Sequence, residues 1–222
     1  GDHVALDSVR ARAWTAVLQI GATQALLGIR AGDVKRARAW LLVREYRKPT
    51  RFSRAGADAT LAVDALAKGK LSARAAAEAA RVDLLDTYQT RLRAALETVD
   101  DAGTRGFDVR RAGSAVLAEG YFGILAPSYA AQRGTPARHA LSREFSRLAA
   151  AAETGNGAAI RAARAEIDRG LEGFRAAPLS EEETLRRAGQ LQRFLSLVPI
   201  EYERGVDGGA GGGQAGAGLH TV

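Results

Sequence analysis

The stretch from Ala112 to Gln132, AGSAVLAEGYFGILAPSYAAQ, carries a single charge, Glu119, in twenty-one residues. Over the whole chain 26% of residues are charged, so this segment must be hidden from water on every side. An apolar helix with no polar face is buried in a helical bundle or in a membrane. The length would just span a bilayer. The composition favours the bundle instead: Ala, Gly and Ser dominate, Pro127 interrupts, and Leu, Ile and Val are few. Small residues let neighbouring helices approach closely while adding little hydrophobicity. Pro127 is expected to kink or end the helix. One carboxylate then sits at mid-helix, and a buried charge needs a partner.

The remainder of the chain supports an all-α fold. Ala is abundant, Gly and Pro are sparse before residue 205, and β-branched residues are few, which are helix-forming proportions. Residues 7–29 read as a first helix capped by Asp7 or Ser8, with Trp14, Val17, Leu18, Gly21, Ala25 and Gly28 on one face. Asp33 is placed to cap a second helix over 34–48, stopped by Pro49. A short helix near 55–68 ends at Gly69, and Ser72 caps a long one reaching Val99. After the 107–132 segment, Thr135-Pro136 opens a helix with Thr135 as cap, and Gly155-Asn156-Gly157 breaks it. Ile160, Ala163, Ile167, Leu171 and Phe174 stripe the next. Ser180 and Glu183 form a capping box for a last helix seamed by Leu185, Leu191, Leu195, Val198 and Tyr202.

These elements predict an antiparallel bundle of seven to eight helices over 1–204, followed by a Gly-rich flexible tail or linker over 205–222. A helix–turn–helix pattern at 7–48 recurs at 136–175, which raises the expectation of two related hairpin units.

Function classes narrow by missing parts. Cys is absent, which removes disulfides and thiolate metal sites. Met is absent too, so the sequence from Gly1 reads as trimmed or processed. The three histidines, His3, His139 and His220, supply neither a triad nor a metal pair, and His139 beside Arg138 reads as a surface residue. With no strand there is no phosphate loop, and no catalysis is expected. The charge of +7 comes from twenty-eight Arg against four Lys, spread along every helix among Asp and Glu. That layout reads as solvated faces; a nucleic-acid role is the least favoured of the readings.

Carboxylates are the informative polar residues. Glu45 falls where the pattern of Leu41 and Leu42 asks for an apolar side chain, Glu119 is the lone charge of the central helix, and Asp86 borders the fourth-helix seam. Inward carboxylates on different helices of a bundle build oxygen-ligand iron sites. The plain alternative for each is an arginine partner.

Three strings, Leu41–Ala55 (LLVREYRKPTRFSRA), Asp83–Leu96 (DLLDTYQTRLRAAL) and Arg193–Val206 (RFLSLVPIEYERGV), together with Gly155–Phe174 ending in GLEGF, resemble the extracytoplasmic helical domain of bacterial oxidase-linked iron permeases. Arg175-Ala176 departs from that pattern. The Arg-Glu-Gly-Leu-Glu motif of the permease part is missing, since Arg169–Glu172 lacks its first Glu, and so is the His-x-x-Glu motif of imelysin-like relatives. The resemblance therefore implies an accessory domain outside the cytoplasm that binds or relays iron, or a partner, for a membrane permease or another envelope protein. Glu45, Glu119 and Asp86 are the metal-ligand candidates. An envelope scaffold or self-associating module without a metal is the alternative.

Overall fold

The computed structural model describes residues 2–46, 54 and 56–209. Among these residues the chain is all helix and no strand, with eight helices: α1 (His3–Arg30), α2 (Val34–Leu41), α3 (Ala59–Ala67), α4 (Ala73–Thr104), α5 (Asp108–Arg133), α6 (Thr135–Thr154), α7 (Gly157–Leu171) and α8 (Glu181–Gly209). They divide between two compact units, Gly1–Ala177 and Pro178–Val222. The boundary expected at 204 thus falls inside α8, and residues 210–222 of the proposed tail lie outside the described residues.

The first unit is organised around α5, which packs against α1, α4 and α6. Tyr121, Phe122, Leu125 and Tyr129 of α5 are buried with Tyr88 of α4, Phe145 of α6 and Phe174. Phe122 stacks on Phe145 with ring centroids 4.7 Å apart, and Tyr129 meets Phe174 edge-on at 5.0 Å. Such pairs add about 0.5–1.5 kcal/mol each beyond area burial. Pro127 does not end α5, which runs on through Arg133. The missing amide of Pro127 costs one hydrogen bond, and burial of the flanking Ala126 and Tyr129 holds the segment helical regardless.

Caps follow the sequence in most places. Asp33, Ser72 and Asn156 accept from the amides of Arg36, Ala75 and Ala159. Two expectations shift. Helix α1 begins at His3, because Asp2 accepts the Ala5 amide at 3.0 Å. At α6 the cap position is Gly134 and not Thr135. The buried face of α1 is also rotated: Ser8, Ala11, Thr15, Leu18, Gly21, Ala22 and Ala25 face inward, while Trp14 and Val17 are largely exposed. Close helix approach selects small side chains over large ones here. A Cβ on Gly120 would lie 2.3 Å from Thr15, and one on Gly21 would lie 2.7 Å from the Val43 carbonyl oxygen.

The second unit contains α8. Ser180 accepts the Glu183 amide at 3.2 Å, as the capping box requires. The Glu183 carboxylate, however, binds Arg186 and Arg187 one turn on, and hydrogen bonding by Arg186 holds its pKa down at about 2. The apolar seam expected on this helix, Leu185, Leu191, Leu195, Val198 and Tyr202, is exposed.

Gly120→Ala forces a methyl into the Thr15 side chain and is expected to cost about 1–3 kcal/mol. Urea denaturation of wild type and variant measures this, and an unchanged midpoint would contradict the close α1–α5 approach.

Candidate functional site

Helix α2 stops at Leu41, shorter than the 34–48 span expected, and Leu42–Arg44 turn away from its axis. The physical cause is the bare backbone of Gly21, over which the Val43 carbonyl lies. The turn carries Glu45 off the helix and in over α1, α4 and α5. Its carboxylate Oε1 accepts the Trp14 indole N–H of α1 at 3.0 Å and the Tyr121 hydroxyl of α5 at 3.1 Å. On the other oxygen, Arg91 of α4 makes an ion pair at 3.3 Å. The same guanidinium also donates to the Tyr46 carbonyl. The Glu45 side chain keeps 19% of its exposure against 40% for Arg91, so the carboxylate is the fixed member of the pair and the cation the looser one.

Two buried phenols complete this cluster. Tyr121 is buried at the α5 end of the hydrogen bond, and the Tyr88 ring of α4 lies 6.1 Å from it, centroid to centroid. Tyr88 is fully buried, yet among the described residues its hydroxyl finds no hydrogen-bond partner. The Glu45 backbone influences that phenol without reaching it in normal bonding geometry. Burial pushes the Tyr88 pKa up to about 12. Burial also raises Tyr121, reinforced by the charge and hydrogen bond of Glu45. Both phenols therefore hold their protons strongly in the folded protein.

The other two candidate carboxylates stand elsewhere. Glu119 is half-buried on α5 and accepts the Ser146 hydroxyl at 2.6 Å. Asp86 pairs with Arg54 at 3.0 Å, both side chains largely buried. Among the described residues, no three His, Asp or Glu side chains group so as to hold a metal ion. The structure therefore does not gather Glu45, Glu119 and Asp86 into one centre. His139 is exposed and touches Arg138, as the sequence reading had it.

Sequence reasoning passed over Trp14, Arg91 and Tyr121 as partners of Glu45, and Tyr88 as its buried neighbour. One signal was available: a tyrosine inside an otherwise apolar, fully buried helix needs somewhere for its hydroxyl to bond. The pairing itself depended on α2 ending early, which the sequence does not announce.

A family model described as the iron permease FTR1 N-terminal domain matches residues 1–170. The chain belongs to this family. No curated protein and no solved structure matches it. Glu45 and all four side chains around it fall within the matched span of this iron permease domain, whereas α8 and the Arg193–Val206 string lie beyond it. No described helix is long and apolar enough to cross a membrane.

Two outcomes follow for the cluster. Glu45→Ala strips the acceptor from buried Tyr121 and is expected to cost about 1–3 kcal/mol, the usual penalty for an orphaned buried donor; Trp14, being partly exposed, recovers a water. Thermal denaturation reads this loss, and an unchanged melting temperature contradicts the hydrogen bonding described. In an alkaline absorbance titration, Tyr88 ionises near pH 12 rather than at the ordinary 10. Because the folded-state value is raised, its contribution to stability is complete below pH 10 and drains away between 10 and 12. The late phase should lose one tyrosine's amplitude in Tyr88→Phe, the remainder belonging to Tyr121; a Tyr88 phase already complete near pH 10 contradicts its burial.

Proposed function

We propose that this iron permease domain acts on the extracytoplasmic side of the membrane, where it binds iron, or relays it, for a permease partner, with Glu45 as the residue that meets the metal. Membership in the iron permease family supports the iron uptake context. The observation that carries the site is the inward Glu45 carboxylate, held by side chains from three different helices at a point where α1, α4 and α5 converge. Oxygen donors on separate helices of a bundle suit a hard cation such as ferric iron. Arg91 occupies that carboxylate in the absence of metal and, being the more exposed partner, can swing out when a cation of higher charge arrives. Iron is the cargo here, and no catalytic step is assigned to the domain. Glu119 and Asp86 are not carried forward as ligands beside Glu45.

A second reading, a structural or self-associating envelope module without a metal, draws on two observations. Asp86 with Arg54 and Glu45 with Arg91 are the arginine pairs that such a module needs. Helix α1 also exposes Leu6, Val9, Val17 and Ile20, apolar side chains that a second copy or an envelope partner would cover. A nucleic-acid role gains nothing from the structure. Much of the Arg surplus is spent locally, as in Arg81 with Glu78, Arg105 with Asp101, Arg147 with Glu144 and Arg169 with Glu166.

Ferric citrate added to the intact chain separates the two main readings. At a hundredfold excess over its dissociation constant, a specifically bound ion stabilises by about 2.7 kcal/mol, or about 5–10 °C in melting temperature. The shift is expected in wild type and lost in Glu45→Gln. An unmoved wild-type melting curve rejects the iron-binding role and leaves the structural module.

A further inference from the structure

We propose that Glu45, Tyr121 and Tyr88 together form a mixed carboxylate–phenolate site selective for ferric iron. This deepens the iron-handling reading and rests on it. Four observations converge. The Tyr121 hydroxyl already bonds to the Glu45 carboxylate at 3.1 Å, which puts one phenol oxygen and one carboxylate oxygen side by side. The Tyr88 ring lies 6.1 Å from that of Tyr121. Tyr88 is fully buried, and its hydroxyl lacks a hydrogen-bond partner among the described residues. A buried hydroxyl left in that condition costs about 1–3 kcal/mol, so its retention where phenylalanine would pack calls for a purpose. Finally, the described residues around the cluster offer oxygen and no thiolate or imidazole, since the chain has no Cys and neither His3 nor His139 is among them.

The charges balance. One carboxylate and two phenolates carry three negative charges, which neutralise Fe³⁺ in a site that water enters poorly; a divalent ion would leave the site net negative. On binding, each phenol O–H bond breaks and its proton leaves to solvent, while each oxygen forms a bond to iron. No electron is transferred. Arg91 loses its carboxylate partner, and its partly exposed side chain turns to water. Arg44, on the same segment, bonds Thr60 and stacks over Tyr46, and its charge reaches Tyr88, where it favours the phenolate. The remaining coordination positions go to water or to the carrier that delivers the metal. Selectivity follows from that charge balance, since ferrous iron, magnesium and calcium leave one of the three negative charges uncompensated.

The test is optical. Ferric nitrilotriacetate is titrated into the intact chain, and bound iron is counted after dialysis. Phenolate bound to ferric iron gives a visible charge-transfer band that carboxylate–iron complexes lack, and Raman excitation within it enhances tyrosine ring modes. Wild type is expected to show both. Tyr121→Phe and Tyr88→Phe are each expected to weaken the band and to lower iron affinity by about tenfold or more, the scale on which losing a contact to a metal site is felt. Calorimetric melting confirms that each variant is folded, and the Raman spectrum of wild type needs no variant at all. Iron that binds and depends on Glu45, but with no band and no tyrosine modes, overturns the phenolate site and leaves the iron-handling reading standing. No bound iron after dialysis overturns both.

Discussion

The close approach of α1 to α5 governs this molecule. It is made by an absent side chain, since Gly120 gives Thr15 its place, just as Gly21 lets the Val43 carbonyl rest on the backbone of α1. Interiors packed to crystal-like density leave no slack at such points. With the Val43 carbonyl seated on Gly21 of α1, the chain leaving α2 turns off the helix and crosses α1. That crossing brings Glu45 from a loop to a position above Tyr121, between Trp14 and Arg91. The polar cluster is thus a consequence of helix packing before it is anything chemical.

The all-α class, most helix starts and the central burial of the 112–132 segment were legible in the sequence because local signals and hydrophobic period agree there. Asp33, Ser72 and Asn156 cap where their side chains say they should. The failures share one cause, tertiary contact overriding local pattern. Trp14 and Val17 fit an apolar stripe, yet small residues won the buried face because α5 lies so close. Pro127 ought to interrupt a helix, but packing around it kept the helix intact. Glu45 was legible as a residue out of place, and its partners were not, since they come from positions 14, 91 and 121, far apart in sequence. Glu119, the lone charge of its segment, found a serine on the neighbouring helix.

A carboxylate inside a bundle always invites two explanations, an arginine or a metal. Here the same Glu45 supports both, because its guanidinium partner is the more exposed member and its other neighbours are a buried phenol and an indole. Removing one member of a paired, desolvated charge is costly; exchanging Arg91 for a cation of higher charge keeps the carboxylate compensated. In the proposed reading, that exchange keeps the carboxylate of this iron permease domain compensated whether guanidinium or metal holds it. Asp86 differs, since Arg54 is more buried than the carboxylate it holds and has less room to withdraw.

The most direct measurement is a crystal of the domain grown with ferric iron, with data collected at the iron absorption edge. The account predicts an anomalous peak in contact with the Glu45 carboxylate and the Tyr121 oxygen, and an Arg91 side chain turned away to solvent. Arg91 still seated on Glu45, with iron bound elsewhere or absent, would contradict it.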